Sequence, residues 1–94
     1  MTNNDIIRKV AEKKLVEEVV SNIVRRPATH PDCQDLSQMI YCILLDYDHD
    51  TLERCFLRGE IGRLVARIAT RQYWSKTSPF YEQIRRFREL SSQI

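Results

Sequence analysis

Asp32-Cys-Gln-Asp-Leu-Ser-Gln-Met-Ile-Tyr-Cys-Ile-Leu-Leu45 decides how the rest of this 94-residue chain is read. Leu36, Met39, Ile40, Ile43 and Leu44, followed by Tyr47, recur at three and four, the stripe of a helix with one face on a core. Asp32 is expected to cap the free amides at its start, and Asp35 lies in the first turn, where the helix dipole favours an acid. The side opposite Leu36 and Ile40 holds Gln34, Gln38, Tyr41 and Leu45, with Asp35 and Cys42 on its flank. A tyrosine and a leucine thus stand among polar groups. In one reading this row docks on a partner, the apolar pair supplying area while the amides and carboxylate fix register. In the other, the first or the last helix covers it and Tyr41 and Leu45 belong to the domain's own packing.

The flanking sequence is also helical. From Ile7 to Val24 the apolar residues fall in two rows four apart, Ile7, Ala11, Leu15, Val19 and Ile23 in one and Val16, Val20 and Val24 in the other, so one continuous helix is expected. Asn3 or Asn4 is its expected cap, residues 1–4 are otherwise expected to be disordered, and Arg25, Arg26 and Pro27 mark its end. After the Asp32–Leu45 helix, the run Asp46-Tyr-Asp-His-Asp50 breaks the pattern. Asp50-Thr-Leu-Glu53 has capping-box spacing and opens a short helix closing near Gly59. Asp48 and Asp50 lack the further ligands of a calcium loop. Glu60 to Trp74 forms the next helix, with Ile61, Leu64, Val65, Ile68 and Ala69 inward. Ser75 to Pro79 is a polar connector in which Ser78 caps and Pro79 opens a last helix over about 79–92, its inner stripe Phe80, Ile84, Phe87 and Leu90 or Ser91.

Composition agrees: 43% of residues are hydrophobic and 30% charged, with two glycines and three prolines, which suits an all-α compact bundle of four to five helices forming a single domain over 1–94. A chain this short buries roughly 60 to 65% of its unfolded surface, which leaves little room for a deep catalytic cleft. Three cysteines, Cys33, Cys42 and Cys55, show no spacing of a disulfide framework or zinc knuckle, so a reducing cytoplasm is the expected compartment. No export signal or membrane span is expected. His30 and His49 lie in connectors without a nucleophile and acid around them, so neither catalysis nor a cofactor or metal is expected.

Charge is uneven. The net charge is +2, yet from Arg54 to Arg88 nine Lys or Arg face only Glu60 and Glu82. The outer side of the Glu60–Trp74 helix carries Arg63, Arg67, Thr70 and Trp74, with Arg71 beside them. Guanidinium groups pair with phosphates and an indole offers a plane to an unstacked base, which suits single-stranded nucleic acid. The alternative is a solvated arginine face with Trp74 tucked under the last helix. Arg85 and Arg86 have acids four residues away, Glu89 and Glu82, and are expected to pair within their own helix.

The segment Asp32-Cys-Gln-Asp-Leu-Ser-Gln-Met-Ile-Tyr41 resembles the start of the second helix in region 2 of extracytoplasmic-function sigma factors, Asp-Ala-Glu-Asp-Leu-Val-Gln-Glu-Val-Phe, matching at Asp32, Asp35, Leu36 and Gln38. Gly62-Arg-Leu-Val-Ala-Arg-Ile-Ala-Thr-Arg-Gln72 is similar to that family's following helix. The resemblance spans about 5–75. It implies that Asp35 and Gln38 with Gln34 contact the clamp of the RNA polymerase core, and that Arg63, Arg67, Arg71, Tyr73, Trp74 and Lys76 lie toward promoter DNA. Met39 stands where that pattern has an acid and Leu45 where tryptophan is common. The chain also ends before a second DNA-binding domain, which a further subunit would then supply. Ser75-Lys-Thr-Ser-Pro-Phe-Tyr81 is similar to short sigma-like proteins of phages and mobile elements. The leading expectation is therefore a non-enzymatic, sigma-like transcription protein acting in a bacterial cytoplasm. Its rivals are a phage-type structural or adaptor bundle working through Tyr41 and Leu45, and a stand-alone binder of duplex DNA.

Overall fold

The structure is a computed structural model and describes residues 1–91. It contains α1 (Asn3–Glu12), α2 (Leu15–Val24), α3 (Pro31–Leu45), α4 (His49–Leu57), α5 (Ile61–Trp74) and, after a π-helical turn at Tyr81–Arg85, α6 (Arg86–Ser91), with no strand among the described residues. The chain is an all-α bundle. One core runs through it, built on Ile6, Val16, Val20, Leu36, Ile40, Leu44, Leu52, Val65 and Phe80, all sealed from solvent. α2 lies between α3 and α5, and α1 closes one end against α3 and α4.

The expected first helix is two. Val10 and Val16 are both buried, yet residues six apart point about 120° away from one another on a straight helix. Lys14 resolves the conflict by adopting a left-handed conformation, φ 53°, which turns the chain so that both valines reach the core. The N-terminus is ordered by its own contacts: Thr2 Oγ1 accepts from the Asp5 amide at 3.2 Å and Asp5 Oδ2 accepts from the Thr2 amide at 2.9 Å, a capping box. Thr2 and Asp5 thus open α1 with their own side chains. Asn3 caps a different helix: its Nδ2 donates to the carbonyls of Leu44, Leu45 and Tyr47, at 2.9 Å for Tyr47, tying the start of α1 to the end of α3.

Two further caps are displaced from the sequence reading. Pro31 occupies the first position of α3 because it has no amide hydrogen to satisfy, so the cap is His30, whose Nδ1 accepts from the Asp32 amide at 3.1 Å. α4 is capped by Asp48 rather than Asp50, Asp48 Oδ2 accepting from the Thr51 amide at 3.0 Å. Its other end closes at Gly59 as expected: φ is +69°, and the amides of Gly59 and Glu60 return to the carbonyls of Phe56 and Cys55, a Schellman motif.

The last helix begins at Pro79 with Ser78 Oγ accepting from the Tyr81 amide at 3.1 Å, as the sequence predicts. The Arg86 amide then returns to the Tyr81 carbonyl, five residues back. One extra residue in a turn rotates everything after it by about 100°. Phe80 and Ile84 face the body as expected, but Phe87 and Leu90 are exposed and Arg85 and Arg88 turn inward in their place. Ser92, the end of the expected span, lies outside the described residues.

Candidate functional site

The buried stripe of α3 is Cys33, Leu36, Ser37, Ile40 and Leu44, which lies about 45° around the helix from the stripe read off the sequence. That rotation decides the fate of the docking row. Tyr41 moves toward α2, where it is half-buried and its hydroxyl donates to Glu17 Oε1 at 2.7 Å. Burial and the bond to Glu17 push its phenol well above the ordinary tyrosine value. Tyr41 is thus only partly open: α2 holds its hydroxyl, while it still lines a shallow groove together with Gln34 and Gln38. Leu45 remains 45% exposed, and Gln34 and Gln38 are exposed beside a shallow groove of about 400 Å³ that Glu17, Ala28 and Ser37 also line. The second carboxylate oxygen of Glu17 is buried there and has no hydrogen-bond partner among the described residues.

Asp35 keeps its outward position on α3, but its carboxylate is engaged. Arg88 of α6 forms a fork, one guanidinium nitrogen on Asp32 Oδ1 and the other on Asp35 Oδ2. The sequence holds a signal for this pairing. Arg85 and Arg86 meet Glu89 and Glu82 at 3.3 and 3.1 Å within the helix, as expected, whereas Arg88 has no acid three or four residues away in either direction.

On α5 the arginine row stands open. Arg63, Arg67, Thr70 and Arg71 are exposed, and among the described residues none of the three arginines forms an ion pair. Arg67 and Arg71 also border a groove of about 250 Å³ that is lined by Ile43 of α3, Tyr47 of the connector after it, and Leu64 and Ile68 of α5. Lys76 is exposed just beyond. Trp74 is 50% exposed, its indole N–H donating to the Ile23 carbonyl at 3.2 Å and one ring face lying 4.7 Å from the Arg85 guanidinium. Trp74 is therefore neither fully open nor tucked away.

Tyr73 departs from the sequence reading. It is only 7% exposed, packs on Phe80, and its hydroxyl donates to Asp32 Oδ2 at 2.9 Å, so it faces the interior and not a ligand. The cause is the last helix, which covers the end of α5 and buries a flank that would otherwise be open. Asp32, expected as a simple cap, is instead a buried acid shared by Tyr73 and Arg88.

The remaining chemistry is limited. Cys33 is buried, and burial followed by the nearby Asp32 charge pushes its thiol up, which suppresses the thiolate a nucleophile requires. Among the described residues no three His, Cys, Asp or Glu side chains gather as a metal site, and no helix is long and apolar enough to cross a membrane. No protein-family model, no curated protein and no solved structure matches the chain. The geometry and chemistry of the two rows therefore carry the functional reading by themselves.

Proposed function

We propose that this chain is a small, non-enzymatic, sigma-like transcription protein that docks on core RNA polymerase through α3 and offers the arginine row of α5 to promoter DNA. The observation that carries this reading is the row Arg63, Arg67 and Arg71, exposed and unpaired among the described residues and ending at a half-exposed tryptophan. Three guanidinium groups one helical turn apart and without internal acids are placed to meet successive phosphates, and the half-exposed indole stands beside them for a base to stack on. The docking row is narrower than the sequence reading had it. It consists of Gln34, Gln38 and Leu45, with Asp35 joining once its bond to Arg88 is released.

The experiment is a paired binding measurement on the full chain. Core bacterial RNA polymerase retains the wild-type protein, and Gln34→Ala with Gln38→Ala lowers retention. A mixed-sequence single-stranded oligonucleotide binds at low salt, and the triple change Arg63→Ala, Arg67→Ala, Arg71→Ala abolishes that binding. Loss of neither interaction in these variants would refute the assignment.

A second reading has its own support. Leu57 and Phe87 are 71% and 70% exposed, and exposed apolar side chains of this size are what a structural or adaptor bundle uses to meet protein. Concentration-dependent self-association without affinity for polymerase or oligonucleotide is the result that selects it.

A further inference from the structure

We infer that the last helix is a charge-held clasp that closes over both rows at once, and that partners bind the chain with this clasp released. What release does for binding rests on the proposed function; the clasp itself rests on contacts alone.

The two arginines that turn inward after the π-helical turn hold one element of each row. Arg88 grips Asp35, the acid of the α3 surface, together with Asp32. Arg85 sits at the end of the α5 surface: its Nη1 donates to the Tyr73 carbonyl at 2.6 Å, and its guanidinium lies 4.4 Å from the Tyr73 ring and 4.7 Å from the Trp74 ring. A polymerase surface seeking Asp35 and a base seeking the face of Trp74 therefore compete with the same short helix.

The attachment is of a releasable kind. Phe80 is fully buried and Ile84 half-buried, which anchors the base of the segment, but no residue from Arg85 to Leu90 is buried. Phe87 and Leu90 face outward at 70% and 54% exposure, so lifting this stretch uncovers little apolar surface. Its hold comes from Arg85 on the Tyr73 carbonyl and from Arg88 on the buried Asp32 and on Asp35; the Arg88–Asp35 pair, 38% and 39% exposed, is the one that salt weakens. An anionic ligand has the right chemistry to take Arg85 and Arg88 for itself. Nucleic acid arriving at the arginine row would thus free Asp35 while gaining two further cations.

The test uses the full-length protein with Arg88→Gln, Arg88→Lys and Asp35→Asn. Opening is read by amide hydrogen exchange over residues 86–90 and by acrylamide quenching of Trp74, the single tryptophan. Binding is read with core RNA polymerase and with a thymidine oligonucleotide. Arg88→Gln is expected to raise exchange and quenching and to tighten at least one of the two ligands several-fold, even though it removes a positive charge; Arg88→Lys returns toward wild type. Asp35→Asn opens the helix less, since Asp32 still holds Arg88, and lowers polymerase retention. Unchanged exchange and quenching in Arg88→Gln, or an opened helix with no gain on either ligand, overturns the clasp. Failure of the proposed function looks different: no chain retains polymerase, or Asp35→Asn gains retention as Arg88→Gln does, while the opening and oligonucleotide readouts still judge the clasp.

Discussion

The Tyr73 hydroxyl donates to Asp32 Oδ2 at 2.9 Å, joining the end of α5 to the start of α3 across 41 residues of sequence. Both groups are buried, so the bond forms where water competes poorly for the carboxylate. Burial first, and then the bond to Asp32, push the tyrosine up to about 12. The folded state thus favours the neutral phenol. The resulting stabilisation is complete below the unfolded tyrosine value of about 10 and is lost as pH rises through about 12. Tyr73→Phe is expected to cost about 1.5 kcal/mol at neutral pH and to flatten the alkaline decline. Urea midpoints of the two proteins between neutral and strongly alkaline pH provide the check, and parallel curves would remove Asp32 and Tyr73 as a coupled pair.

The two glycines make opposite predictions. Gly59 has φ +69° at the end of α4 with open space around its Cα, so Gly59→Ala meets no clash but forces an alanine into the left-handed region. That costs about 1 to 2 kcal/mol. Gly62 lies in the first turn of α5 with ordinary helical geometry, and an added Cβ would sit 3.9 Å from Leu15 Cδ1, a normal contact. Gly62→Ala is therefore expected to stabilise by about 0.5 kcal/mol, through the lower freedom of the unfolded chain and the small added contact. Thermal melts of the two variants should move to opposite sides of wild type.

Much of the bundle is legible in the sequence because short-range periodicity determines it. The stripe of α5, the Gly59 stop and the Ser78–Pro79 start are all local signals, and the structure agrees with each. What is not legible depends on residues that are distant or on a change of helical frame. Lys14 carries no sequence mark of a left-handed residue, since any side chain there is a compromise made so that Val10 and Val16 both reach the core. The π-helical turn at Tyr81–Arg85 exchanges the roles of Phe87 and Arg88. On α3, Cys33 and Ser37 belong to the buried face; cysteine is among the most often buried residue types, and weighing it so would have turned the stripe toward its observed position. The arginine row of α5 was readable, whereas the shielding of Asp35 and Tyr73 by the last helix required knowledge of the tertiary contact.

Asn3 shows how a residue that looks like a local cap does long-range work. Its side-chain amide satisfies carbonyls at the end of α3, and its Oδ1 lies 2.8 Å from His49 Nδ1 at the start of α4. Asn3→Ala leaves the Thr2 capping box intact, so α1 itself should persist while the junction of three helices loosens. A loss of about 1 to 2 kcal/mol is expected from the unpaired carbonyls. Amide exchange gives the sharper readout: it should rise at Leu44 to Tyr47 more than within α1, and the reverse order would mean that Asn3 acts only locally.

The arginine row makes a prediction separable from mere net charge. Single-stranded nucleic acid loses affinity with salt by about 0.7 in logarithmic slope for each phosphate contact made. Arg67→Ala and Arg71→Ala should each lower that slope by about this amount, since neither arginine has an ion-pair partner among the described residues to release or compensate. Arg86→Ala removes the same formal charge from an exposed residue, but one already paired with Glu82 at 3.1 Å on the last helix, and should leave the slope near wild type. Fluorescence anisotropy of a labelled oligonucleotide across a salt series distinguishes the cases. If all three substitutions lower the slope equally, binding depends on overall charge and the α5 row has no special role; if only the α5 changes do, the position of the guanidinium groups along one helix face decides where the backbone lies.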